Sequence, residues 1–160
     1  MCIFLGEIKW RNWKPNEEYL DSIKDITSIT KLIYLMKKFE YKWDMLTILG
    51  REVFWDRWQM PDISLKTMEG DCEDAAILAV DILGRSIKRT DSMMMIAAGI
   101  DSKNKLSAHS IAVIPDGSTL NVISNSQYFT GFESLQDIGE KWYPVKLIYK
   151  KLYSWQGRRL

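Results

Sequence analysis

The chain has one histidine, two cysteines and four prolines among its 160 residues, and each scarcity removes a possibility. Two cysteines and one histidine cannot close a zinc centre of four nitrogen and sulfur ligands, so that class is excluded. No stretch approaches the ~20 apolar residues of a membrane-spanning helix, and no membrane partner is expected. There is no internal repeat, low-complexity tract or linker rich in Pro, Gly or Ser, so a single continuous domain over 1–160 is expected. Neither sign of charge is in excess: 22 Lys and Arg stand against 21 Asp and Glu, for a net +1. That balance carries no electrostatic footprint for nucleic acid. The basic doublets Lys37-Lys38, Lys150-Lys151 and Arg158-Arg159 are scattered and read as solvated faces.

The opening MCIFLGEIKW has only a brief apolar run, lacks a basic leader and meets Glu7 at once, which is too little for a secretory core. A cytoplasmic, water-soluble protein is expected, with Cys2 and Cys72 reduced rather than bridged. No cofactor and no metal are expected.

What is present is the balance of a globular protein, 46% hydrophobic and 27% charged. From Lys14 to Phe39 the spacing predicts two helices. Pro15 and Asn16 open the first, with Leu20, Ile23 and Ile26 or Thr27 at helical intervals. Thr27 or Ser28 caps the second, whose inward stripe is Ile29, Leu32, Ile33, Met36 and Phe39. The segment from Tyr41 to Gly70 is irregular and aromatic. Trp43, Trp55 and Trp58 either wall a cleft or fill the core.

The stretch MEGDCEDAAIL then sets a cysteine among three carboxylates. Asp71 suits an N-cap, Asp74 falls at N3 as in a capping box, and Glu73 adds charge to the first turn. AAILAVDIL is apolar on nearly every side, which predicts a helix through the middle of the molecule, with Gly84 as its stop. Downstream the period changes to strands: Ser92–Ile100, Ala108–Ile114, Thr119–Ser124 and Tyr143–Tyr153, with Pro115-Asp116-Gly117-Ser118 as a hairpin turn. Helices followed by antiparallel strands make an α+β fold, a central buried helix packed on the sheet.

Cys72 lands on the first helical residue, where the helix dipole favours a thiolate. The only histidine, His109, lies in a strand that this helix must cover, so a Cys–His pair is one reading. Plain packing is the other: lone cysteines are commonly buried, and a strand histidine is commonly just a satisfied polar group. The acids count against the pair, since like charge raises a thiol's pKa, unless capping absorbs them and the thiol points away.

FEYKWD (39–44), DRWQMP (56–61), EGDCEDAAILAVDILG (69–84) and AHSIAVIPDG (108–117) resemble the transglutaminase-like superfamily of papain-fold cysteine enzymes, in particular its bacterial and phage cysteine proteinases. The likeness spans Phe39 to Asn125. It implies a papain-like core, Cys72 as nucleophile, His109 as general base and acid, and a peptide or isopeptide amide as substrate. It also implies the Cys72 backbone N–H as an oxyanion donor, with the Gln59 side chain as a second. The superfamily places an aspartate on the strand after the histidine; here NVISN puts Ser124 in that place. Asn125 is the alternative to orient the imidazole, and Asn121 a further one. Related proteases are thought to hold calcium with acids at this motif, which would recruit Asp71, Glu73 and Asp74; capping alone accounts for Asp71 and Asp74. A catalytically impaired domain that binds a partner protein is the rival function, motivated by Ser124.

Overall fold

The structure is a computed structural model that describes residues 8–160 apart from 44, 49–50, 55–56 and 144–145, and describes 45–48 and 51–54 by backbone alone. Cys2 and Trp55 lie outside the described residues.

After a helical stretch over 8–12 come helices α1 (Glu17–Ile23) and α2 (Ile29–Met36). Asn16, expected with Pro15 to open α1, caps it by accepting from the Tyr19 N–H, and of the two cap candidates for α2 Ser28 serves, accepting from the Lys31 N–H. The inward face of α1 differs from expectation. Tyr19 is buried and Leu20 is 41% exposed, because the Tyr19 hydroxyl donates to the buried Asp81 carboxylate at 2.8 Å, and a buried acid needs such a donor.

Next come β1 (Glu40–Tyr41), a hairpin of β2 (Met45–Ile48) and β3 (Arg51–Phe54), helix α3 (Pro61–Thr67) and β4 (Glu69–Gly70), which runs parallel to β1. The aromatics here divide: Trp58 is core at 2% exposure, whereas Trp43 is 61% exposed.

Helix α4 (Cys72–Arg85) runs through the molecule as the apolar pattern predicts, with Ala75 to Val80 and Ile82 to Leu83 all buried. Each Leu, Ile or Val so buried contributes about 1.5–3 kcal/mol relative to exposure. The helix does not stop at Gly84. It continues to Arg85 and caps on Ser86, and Gly84 serves a close approach instead, since a Cβ there would lie 2.3 Å from the Trp155 ring. Asp81, the acid in the buried run, takes Arg85 Nε at 2.8 and 3.0 Å, and the guanidinium lies over the Trp13 and Trp155 rings. Helix α4 is thereby tied to α1 and to the end of the chain.

The main sheet comprises β5 (Met93–Ile100), β6 (Leu106–Asp116), β7 (Thr119–Ser124), β8 (Gln127–Phe132) and β9 (Lys146–Ser154), all antiparallel in the order β8-β7-β6-β5-β9. The α+β expectation therefore holds at the level of a mixed helix and antiparallel-sheet architecture. Strand β8 and helix α5 (Leu135–Trp142) are additions to the sequence reading. Met94, Ile96, Ala112, Ile114 and Ile123 face α4, while Met95, Ala97, Ile111, Val113 and Val122 face Ile138 of α5. By the two-residue period, His109 and Ser124 belong to the α5 face. No helix among the described residues is long and apolar enough to cross a membrane.

Candidate active site

The start of α4 is built by its own acids. Asp71 Oδ1 accepts from the backbone N–H groups of Glu73 (3.1 Å) and Asp74 (3.4 Å), and Asp74 Oδ2 accepts from the Asp71 N–H at 3.3 Å, closing the capping box. Asp74 Oδ1 also takes the Gln59 N–H at 2.6 Å, which holds the residue before Met60 against this turn. Gly70 is required by that approach: a Cβ there would meet Asp74 Oδ2 at 2.6 Å. So two of the three carboxylates are spent on the backbone, and burial together with Glu73 and Asp74 pushes the Asp71 carboxyl up to about 9.

The third carboxylate behaves otherwise. Cys72, 7% exposed, donates its thiol to Glu73 Oε2 at 2.9 Å, so the thiol does not point away from the acids. Burial first, then the Glu73 carboxylate, push the thiol well above its ordinary range, opposed by the Ser110 backbone N–H. A protonated thiol is the resting form.

The Ser110 contact places the sulfur. Pairing of β6 with β7 begins at Ala112↔Ile123, so β6 at Ser110 lies beyond the edge that β7 covers. The tip of α4 reaches that edge from one face of the sheet, and His109, the preceding residue, projects from the other. His109 Nε2 lies 2.8 Å from Ser124 Oγ, and its ring packs on Trp142 at 5.6 Å between centroids. Burial lowers the imidazole from the usual 6.5, and the Glu73 carboxylate works in the opposite direction. Glu73 thus acts on both groups.

Of the three candidates for orienting the ring, Ser124 makes the contact. Asn125 occupies the β7–β8 turn at φ 51°, with its Oδ1 buried and without a hydrogen-bond partner among the described residues. Asn121 is committed elsewhere, donating to Asp116 and accepting from the Gly131 N–H. The Gln59 backbone is fixed near the helix tip, as above; its side chain is half-buried.

The acids do not fit a calcium ion. Calcium takes six to eight oxygens, whereas these oxygens accept from backbone N–H groups and the thiol. Among the described residues no group of three or more His, Cys, Asp or Glu is placed to hold a metal.

Two contributors escaped the sequence reading. Trp142 ends a helix whose start was marked by Ser134, which accepts from the Asp137 N–H three residues on, a capping spacing visible in SLQD. Glu73 was noted as first-turn charge, and no sequence signal tells that its rotamer turns to the thiol.

These features define a mixed helix-and-sheet protein in which a helix-start cysteine meets the strand that bears the histidine, at the residue that follows it. No protein-family profile matches the sequence, and no curated protein matches it significantly. Among solved structures, the fold is similar to calcium-bound Legionella pneumophila LapG, with a TM-score of 0.50 at 18% identity over 94% of this chain and 83% of that one. EGTA-treated LapG gives 0.50 at 19% identity over 82% and 75%.

Proposed function

We propose that the chain is a cysteine hydrolase of the transglutaminase-like type, with a papain-like core, acting on a peptide or isopeptide amide. The observation that carries this reading is the meeting of the α4 tip with the edge of β6, where Cys72 adjoins the residue after a histidine already held by Ser124. The fold shared with LapG, a bacterial transglutaminase-like cysteine protease, supports it.

In this mechanism the reaction starts from a neutral thiol and a neutral imidazole. Ser124 engages Nε2, which leaves Nδ1 to take the thiol proton as sulfur attacks the carbonyl carbon. The Cys72 backbone N–H, with Gln59 as second donor, stabilises the oxyanion that forms. His109 passes its proton to the leaving amine, and water then resolves the thioester with His109 again as base, releasing the acid and restoring the thiol. A serine supplies no charge to the imidazolium; the Glu73 carboxylate supplies it in the aspartate's stead.

The test is labelling by iodoacetamide followed by intact mass. Cys72 takes one carboxamidomethyl group, Cys72→Ala takes none at that position, and His109→Ala is labelled on the order of a hundredfold more slowly, the usual scale of general-base assistance. Equal rates in wild type and His109→Ala at every pH refute the enzyme.

The rival reading, a catalytically impaired binding module, draws on one observation: the buried thiol is hydrogen-bonded to a carboxylate that opposes its ionisation. The same labelling series separates the two.

A further inference from the structure

Tyr41 and Trp43 are large aromatics left at 44% and 61% exposure. Their rings are in edge-to-face contact, 5.3 Å between centroids at 87°. Exposed aromatics so paired are a recurrent mark of recognition surfaces, since a rigid ring gives much contact area at little entropic cost. The backbone fixes them beside the nucleophile. The Glu40 N–H donates to the Met68 carbonyl and the Lys42 N–H to the Gly70 carbonyl, both at 2.8 Å, and Tyr41 pairs with Gly70, two residues before Cys72. The Tyr41 phenol lies within electrostatic reach of Cys72, Asp71 and Glu73. Lys42, between the two rings in sequence, is turned to Glu69 at 2.7 Å, so its ammonium is already matched.

We propose that Tyr41 and Trp43 form the specificity subsite of this enzyme, receiving a large apolar or aromatic side chain of the peptide substrate beside the bond that Cys72 attacks. The inference rests on the hydrolase reading and names its substrate class. An acidic side chain is disfavoured, since it meets the Glu73 carboxylate. A small side chain leaves the ring faces in water.

Two measurements test it. In Cys72→Ala protein, acetyl-Phe-Gly-amide is titrated against the indole N–H resonance of Trp43, assigned by its loss in Trp43→Phe, with acetyl-Gly-Gly-amide as control. The Phe compound should shift that resonance and the Gly compound should not. In wild type, acetyl-Phe-Gly and acetyl-Gly-Gly chloromethyl ketones are compared after scaling each to iodoacetamide. Here the Cys72 sulfur forms the new bond to carbon, chloride leaves, and the thiol proton passes to His109. The Phe reagent should be about tenfold faster, the scale of one well-filled side-chain pocket; Trp43→Ala should erase the preference and Trp43→Phe recover most of it. An unmoved Trp43 resonance, or a preference that survives Trp43→Ala, overturns the subsite even where iodoacetamide labels Cys72 normally. If Cys72 resists iodoacetamide while the Trp43 shift persists, the nucleophile reading fails and the aromatic subsite stands as a peptide-binding surface.

Discussion

Replacing Glu73 by glutamine removes the charge that acts on both members of the proposed pair while keeping an oxygen that can accept from the thiol. The sulfur and Oε2 are 2.9 Å apart. At that separation two unit charges repel by about 1.4 kcal/mol with water-like screening and about 6 kcal/mol at an effective dielectric of about 20. Glu73 is only half-buried, so the lower part of that bracket applies. The midpoint of thiolate formation should therefore fall by roughly one to two pH units, at about 1.4 kcal/mol for each. The same carboxylate raises the imidazole, so the His109 midpoint should fall too. Thiolate absorbance in the ultraviolet reads the first quantity and imidazole proton resonances read the second, in one variant. A thiol midpoint that stays put or rises in Glu73→Gln refutes the electrostatic description of this site.

Four further substitutions bear on the surrounding structure. Ser124→Ala deletes the 2.8 Å contact to Nε2 and should slow His109-dependent labelling by about five- to tenfold, the worth of one hydrogen bond. Ser124→Asp should instead raise the His109 midpoint, as titration by NMR would report. Gly70→Ala drives a methyl against the Asp74 carboxylate, breaks the capping box and should cost about 1–3 kcal/mol in denaturant melts. Burial pushes the Asp81 carboxyl up to about 6 from 3.8. The folded state therefore binds this proton more tightly than the unfolded chain, and stability from this group is greatest below the unfolded pKa. It is lost as pH rises through that window, by about 3 kcal/mol in all. Denaturation of wild type and Asp81→Asn across that range should show the wild type losing ground with rising pH; a constant difference would contradict the assignment.

The residues that announced themselves in the sequence are those whose signals are local. The Asp71–Asp74 capping box, the apolar run of α4, the Asn16 and Ser28 caps and the turn before Thr119 each lie within a few consecutive residues, and all appear in the structure. Gly84 misled because a glycine after an apolar run reads as a helix stop, whereas its role depends on Trp155, distant in sequence. Leu20 misled for a like reason: what draws Tyr19 inward is Asp81. Strand β8 was hidden by a short, glycine-containing run, and with it the tight turn that removes Asn125 from the ladder. Once that turn is known, the two-residue period assigns Ser124 to the face of His109. The direction of the Cys72 thiol is a rotamer choice between a carboxylate and a strand edge, and no pattern of residue types encodes it.

The most direct test of the Cys72–His109 partnership is the pH dependence of Cys72 carboxamidomethylation in wild type and His109→Ala. Burial holds the imidazole below its usual 6.5 and the thiol above its usual range, so the two routes to reaction separate along the pH axis. Wild type should show a plateau that switches on below pH 6.5, where His109 becomes a base, followed by a second rise at high pH from simple ionisation of the thiol. His109→Ala should lose the plateau and keep the second rise. A wild-type profile with the high-pH rise alone, superimposable on that of His109→Ala, would contradict the partnership.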